Sequence, residues 1–231
     1  MAGYNDRKSA TSGKIGELIM KLNFKAAACL ASAIICITTG AWAETKAPAK
    51  NNTVSIEFSP EFKTTNSAWA DDYIKLGLSH SFDNNFVLGT SFQYSWRSDA
   101  TSVDQVEGSV GYKLKSGPLT LTPSVLLGYG FGDHPKINHL IGAEADAYYA
   151  FAIAADFKID DHWTWNALNA RYRNGFSTTW ITPKISTGIT YKINGSNAIY
   201  TSVGYAWKDA GDGKGLLGDK WNVAVGYKFS F

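Results

Sequence analysis

Cysteine is nearly absent: Cys29 and Cys36 are the two thiols in 231 residues. Both fall in a segment that reads as a removable leader, so the mature chain is expected to carry none. That excludes a disulfide framework, thiolate catalysis and cysteine–metal sites. An excess of one charge is missing too. With 22 Lys+Arg against 20 Asp+Glu the formal net charge is +2, which leaves no basic field for nucleic acid. Proline is scarce at 6 residues and histidine scarcer at 4. The one sizeable apolar run, Ala26 to Ile37, falls short of the ~20 residues a spanning helix needs. What is abundant is aromatic residues at 14%, with 22 Gly, 8 Trp and 12 Tyr. Strand and turn formers of this kind are far from disordered or coiled-coil compositions and predict an all-β protein.

The leader starts at Met20. Lys21 and Lys25 precede the apolar run, and Ala41-Trp42-Ala43 gives a small-residue end before Glu44. A basic start, a short apolar middle and an A-x-A end describe a cleaved secretory signal peptide. Residues 1–43 are therefore expected to be an N-terminal extension plus signal, and residues 44–231 a single domain. Neither cysteine follows a Leu-x-x pattern, so no lipid anchor is expected. Removing 43 residues from 231 leaves 188, with 17 bases and 18 acids after the five bases and two acids of the leader are taken away.

From there a period of two runs to the last residue. Trp221, Val223, Val225, Tyr227, Phe229 and Phe231 alternate with Asn222, Ala224, Gly226, Lys228 and Ser230. Side chains of a strand point to opposite faces in turn, so one face is apolar and the other polar or small. The same alternation predicts about ten strands, within a range of eight to twelve. Their spans are Thr53 to Lys63, Asp72 to Phe82, Phe86 to Arg97, Gln105 to Lys115, Leu119 to Phe131, Ala143 to Ile159, Trp163 to Arg173, Ile181 to Ile193, Ala198 to Lys208 and Lys220 to Phe231. One segment breaks phase: Trp163 and Trp165 share a parity, while Leu168, Ala170 and Tyr172 take the other. A bulge near Ala167 restores both to one face.

Most spans are close to the 9–11 residues that a tilted strand needs to cross a bilayer, and longer than the ~5–6 usual in soluble sheets. Connections alternate in length. Asp83-Asn84-Asn85, Ser116-Gly117-Pro118, Asp160-Asp161-His162 and Asn194-Gly195-Ser196-Asn197 read as tight turns, and the links between them are longer. Alternation alone does not say which face is inside. The polar faces combine Gly and Ser with mid-strand Lys75, Gln93, Glu107, Lys184 and Lys192. On the apolar faces, Trp96, Tyr129, Phe131, Trp180, Trp207 and Trp221 fall at the long-loop rim, and Phe82, Phe86, Tyr112, Phe157, Trp163, Tyr191 and Phe231 at the other. Two aromatic girdles separated by aliphatics place the apolar face toward lipid.

The terminal pattern Val223-x-Val225-x-Tyr227-x-Phe229-x-Phe231 resembles the assembly signal of Gram-negative outer-membrane β-barrels. That resemblance covers nearly all of residues 53–231. It implies an up-and-down antiparallel transmembrane barrel that reaches the outer membrane through the periplasm, with both termini on the short-turn side. It also implies outer-membrane lipid and the barrel-assembly machinery as partners, the latter reading Val225, Tyr227, Phe229 and Phe231. Only a closed sheet leaves no unpaired edge in hydrocarbon.

Reactive constellations are few. Asp133-His134 in the segment Gly132 to Gly142 resembles the acid–histidine pairs of ten-stranded outer-membrane proteases, but the acids such a protease needs across the rim have no recognisable motif here. Ser79 and His80 are adjacent on a strand and so point to opposite faces. His139 and His162 have no metal-ligand spacing, and Gly211 to Gly218 lacks the strand–loop–helix setting of a phosphate loop. No enzyme, metal or cofactor is expected.

Charge placement is more informative. Residues 162–208 hold no acid yet carry Arg171, Arg173, Lys184, Lys192 and Lys208. With Arg97 and Lys228, the residues Arg171, Arg173, Lys184 and Lys192 are expected to form a basic lumen wall. Glu57, Glu61, Glu107, Glu144, Asp146 and Asp156 are expected to form an acidic one. Facing walls of opposite charge either set a transverse field across a pore or meet as salt bridges and fill it. Small inward residues such as Gly77, Gly89 and Gly111 leave space. The basic lining resembles that of small monomeric porins for acidic oligosaccharides, which have more strands. The expectation is a narrow porin-like channel for small, preferentially anionic solutes, against a non-conducting barrel that presents its loops to a partner.

Overall fold

The computed structural model describes residues 51–97, 102–131, 145–176, 181–210 and 215–231. They form β1 Asn52–Lys63, β2 Trp69–Ser81, β3 Phe86–Arg97, β4 Ser102–Tyr112, β5 Leu114–Ser116, β6 Leu119–Phe131, β7 Ala145–Lys158, β8 Trp163–Gly175, β9 Lys184–Lys192, β10 Asn197–Asp209 and β11 Leu216–Ser230. β5 continues β4 beyond a break at Lys113, so the wall has ten staves. Each pairs antiparallel with its chain neighbours, and β1 pairs with β11 to close the cylinder. At the seam Asn52 and Phe231 exchange both backbone hydrogen bonds, at 3.1 and 3.0 Å. No edge is left, as a sheet surrounded by hydrocarbon requires.

The short turns gather on the rim that carries both ends of the described barrel. Asn85 and Gly117 take the left-handed conformation, φ 68° and 55°, which Asn and Gly adopt at least cost. In the third turn the Asp160 carboxylate accepts the backbone N–H of His162 and of Trp163, both at 2.7 Å. Those amide hydrogen bonds, Trp163's foremost, hold the exposed Asp160 carboxyl below the usual aspartate range. Asn194 does the same in the fourth turn, accepting from Ser196 and Asn197 at 2.9 Å.

The strands differ from their sequence-based spans mainly at the far rim. β9 starts at Lys184 rather than Ile181, because Pro183 lacks the N–H a ladder needs. Ile181 keeps a single bridge to Asn174. β2 and β11 start earlier than the polar residues there suggest, at Trp69 and Leu216. The expected bulge is present. Asp156 pairs with Asn166 and Ala155 with Leu168, which leaves Ala167 as the extra residue.

The faces are inverted relative to a water-soluble barrel. Leu127 is 60% exposed and Val225 58%, whereas Glu107 is 5% and Asn222 4% exposed. Apolar area on this scale, wrapped around the cylinder, suits lipid and not water. Rings gather in the two predicted belts. Phe62 stacks on Trp221 at 4.5 Å and Tyr94 lies 5.8 Å from Trp96 at the long-loop rim, while Phe86–Tyr112 at 5.1 Å and Trp163–Tyr191 at 4.7 Å mark the other. Trp207 also borders the interior cavity, where the β10–β11 register slips between Ala206 and Trp207. Trp180, His134, His139 and Glu144 lie outside the described residues.

Candidate functional site: the charged lumen

Every second residue of each stave projects inward, and those side chains decide whether the cylinder is filled or open. Glu107 on β4 stands at the centre. Its Oε1 accepts the Tyr148 hydroxyl at 3.0 Å and Arg171 Nη1 at 3.3 Å, and its Oε2 accepts Lys75 Nζ at 3.2 Å and the Ser91 hydroxyl at 3.4 Å. Lys75 comes from β2 and Arg171 from β8, five staves apart in either direction around the ring. The chain Lys75–Glu107–Arg171 thus spans the lumen between opposite walls.

A second group centres on Glu61 of β1. It pairs with Lys184 of β9 at 3.4 Å and Lys220 of β11 at 3.3 Å, and Lys220 also binds Asp71 of β2. Arg173 extends the belt, donating to Gln105 at 3.2 Å and Thr182 at 3.0 Å with its guanidinium 5.1 Å over the Tyr148 ring. Charges held this far from bulk water need partners, because isolated ones lose far more hydration than they regain. The belt therefore holds five bases, Lys75, Arg171, Arg173, Lys184 and Lys220, around three acids, Glu61, Asp71 and Glu107.

Toward the short-turn rim the lumen is less crowded. Glu57 is held by the hydroxyls of Tyr73 and Tyr200, each at 2.8 Å. Asp156 accepts Asn166 at 2.8 Å, and Lys228 sits 4.6 Å over the Tyr200 ring with no ion pair among the described residues. Small residues such as Ser55, Ser124, Ala152 and Gly188 complete the lining. The result is an internal cavity of about 580 Å³, which accommodates water and small solutes.

Of the expected basic wall, Arg171, Arg173, Lys184 and Lys228 line this cavity. Lys192 is exposed at the short-turn rim, where β9 ends, and does not line it. The Arg97 backbone pairs with Asp71, and its side chain lies outside the described residues. Of the expected acids, Glu57, Glu61 and Asp156 line the cavity, and Glu107 is buried beside it. The Asp146 backbone pairs with Gly130, and its side chain too lies outside the described residues.

Sequence reasoning missed the parts that depend on cross-strand register. Tyr148 and Tyr200 have inward parity, but their work comes from glycines on the neighbouring staves. A Cβ on Gly128 or Gly226 would overlap the Tyr148 or Tyr200 ring, so each glycine makes a slot for a ring whose hydroxyl then reaches a carboxylate. Lys220 and Asp71 lie near strand starts and showed no signal apart from parity. Val225, Tyr227 and Phe229 line up on the lipid side of β11 and pair with Phe58, Ile56 and Val54 of β1. Phe231 is 53% exposed beyond them.

A closed antiparallel cylinder, apolar outside and charged inside, is the fold of the outer-membrane β-barrels. No family model matches the chain, and no curated protein matches it. Among solved structures, it is similar to the β domain of the Bordetella autotransporter BrkA, at 11% identity over 78% of this chain and 99% of that one, with a TM-score of 0.53. It also matches the KdgM porin, at 18% identity over 77% of this chain and 99% of that one, with a TM-score of 0.40. The outer membrane protease OmpT from Escherichia coli matches at 8% identity over 81% and 99%, with a TM-score of 0.41. These are likenesses of fold, so function rests on the lumen itself.

Proposed function

We propose that the protein is a narrow, porin-like channel of the outer membrane for small hydrophilic solutes, with anions preferred. The observation that carries this reading is the polar cavity of about 580 Å³ inside the barrel, with Arg171, Arg173 and Lys184 gathered on one side of its lining. The cavity supplies room for hydrated ions. The positive charge of Arg171, Arg173 and Lys184, on the acid-free staves β8 and β9, lowers the energy of an anion in the narrow part of the lumen. Outer-membrane lipid surrounds the aromatic girdles, and the exposed terminal face of Val225 and Phe231 is offered to the assembly machinery.

Single-channel recording of the refolded mature chain in a planar bilayer tests this, with the reversal potential measured under a salt gradient. Discrete small steps with a chloride-directed reversal potential are expected. Stable insertion without steps would refute conduction. A second reading is favoured by the Lys75–Glu107–Arg171 chain across the lumen: a closed barrel that presents its loops, for which insertion without steps is the expected result.

A further inference from the structure

We infer that Glu107 is the residue that sets the width and the charge selectivity of the lumen. This rests on the channel reading and names the residue that governs it. Among the described residues no other lumen carboxylate reaches so many staves: through its two oxygens it gathers β2, β3, β7 and β8 onto β4. At 5% exposure it is also enclosed. Its position is fixed from two sides. Gly128, directly opposite in the β4–β6 register, leaves the slot in which the Tyr148 ring lies, and the Tyr148 hydroxyl holds Oε1. Thr90 donates to the Glu107 backbone carbonyl at 3.0 Å, tying down the strand at that point.

The consequence for transport follows from what the carboxylate masks. Lys75 and Arg171 are long, flexible side chains from opposite walls, and each would otherwise turn toward water along its own stave. Glu107 draws both to the middle, narrowing the passage, and neutralises one of the two charges. Without it the same residues form an open basic ring with Arg173. Glu107 thus makes the lumen narrower and less anion-selective than its wall of bases would make it alone.

Two variants separate charge from bulk. Glu107→Gln keeps an acceptor for Tyr148 and removes the charge, and Glu107→Ala removes both. Heat-dependent electrophoretic mobility identifies folded barrels, and Glu107→Gln serves if the alanine variant does not fold. Glu107→Gln is expected to raise the chloride-to-potassium permeability ratio about 30-fold, because one unit charge ~4 Å from the ion in water-like surroundings is worth about fivefold for each ion, with opposite sign for chloride and potassium. Glu107→Ala is expected to show the same shift and a larger unit conductance. If wild type conducts and both variants keep its conductance and reversal potential, the inference fails and the channel reading stands. If wild type is silent and Glu107→Ala conducts, the constriction is supported and the open-channel reading fails. Silence of every folded variant overturns both, because the lumen is then closed elsewhere.

Discussion

Adjacent residues on β6 provide a direct test of which face meets lipid. Leu127 points outward near the middle of its stave and is 60% exposed, whereas Leu126 lines the internal cavity. Arginine at an outward mid-bilayer position costs roughly 2–4 kcal/mol in outer-membrane barrels. For Leu127→Arg that is about a 30- to 700-fold loss in the folding equilibrium. Leu126→Arg enters a polar cavity of 580 Å³, where the long side chain finds water and carboxylates, and its cost is expected to stay within about 1 kcal/mol. Reversible refolding into lipid vesicles against guanidinium, followed by tryptophan fluorescence, measures both differences in one series. A water-soluble barrel with an apolar interior predicts the opposite order. A penalty at 126 equal to or greater than that at 127 would refute the assignment of faces.

Two further outcomes follow from the packing. Gly128→Ala places a methyl group into the Tyr148 ring and should destabilise the barrel by about 1–3 kcal/mol, whereas Gly130→Ala, with open space around it, should change little. A double-mutant cycle with Tyr148→Ser should recover most of the loss, and independent, additive effects would show that the ring does not occupy that slot. Deleting Ala167 removes the bulge residue and leaves Trp165 and Leu168 on the lipid side, so the barrel should still refold into vesicles. Deleting Ala170 moves Arg171 and Arg173 out of phase with the lumen and should abolish refolding, with equal behaviour of the two deletions as the contrary result.

The period of two and the inverted placement of charge were legible residue by residue. The conflict between Trp163-Trp165 and Leu168-Ala170-Tyr172 revealed the Ala167 bulge because parity is a strictly local property of a pleated chain. Strand starts were less legible. Asp71 looks like a loop residue, yet it pairs within β2, since a carboxylate is acceptable where it faces a charged lumen and binds Lys220. The alternation runs on through Pro183, although its missing N–H ends the ladder and β9 starts at Lys184. The two walls of charge were visible as lists of residues, but which base meets which acid was not.

The alternation along the chain, a property of the covalent sequence and the pleat, together with the charges on one face and the aromatic girdles on the other, determined that this protein is a barrel with lipid outside. It also determined most of the side chains that enter the lumen, Lys192 at the short-turn rim excepted. Register between strands distant in sequence decided the rest. Lys75, Glu107 and Arg171 are separated by 32 and 64 residues, and only closure of ten staves into a cylinder brings opposite walls close enough for one carboxylate to hold both. Ion-pair geometry depends on distances of a few ångströms across that cylinder, and shear and strand number fix those distances for the whole sheet at once.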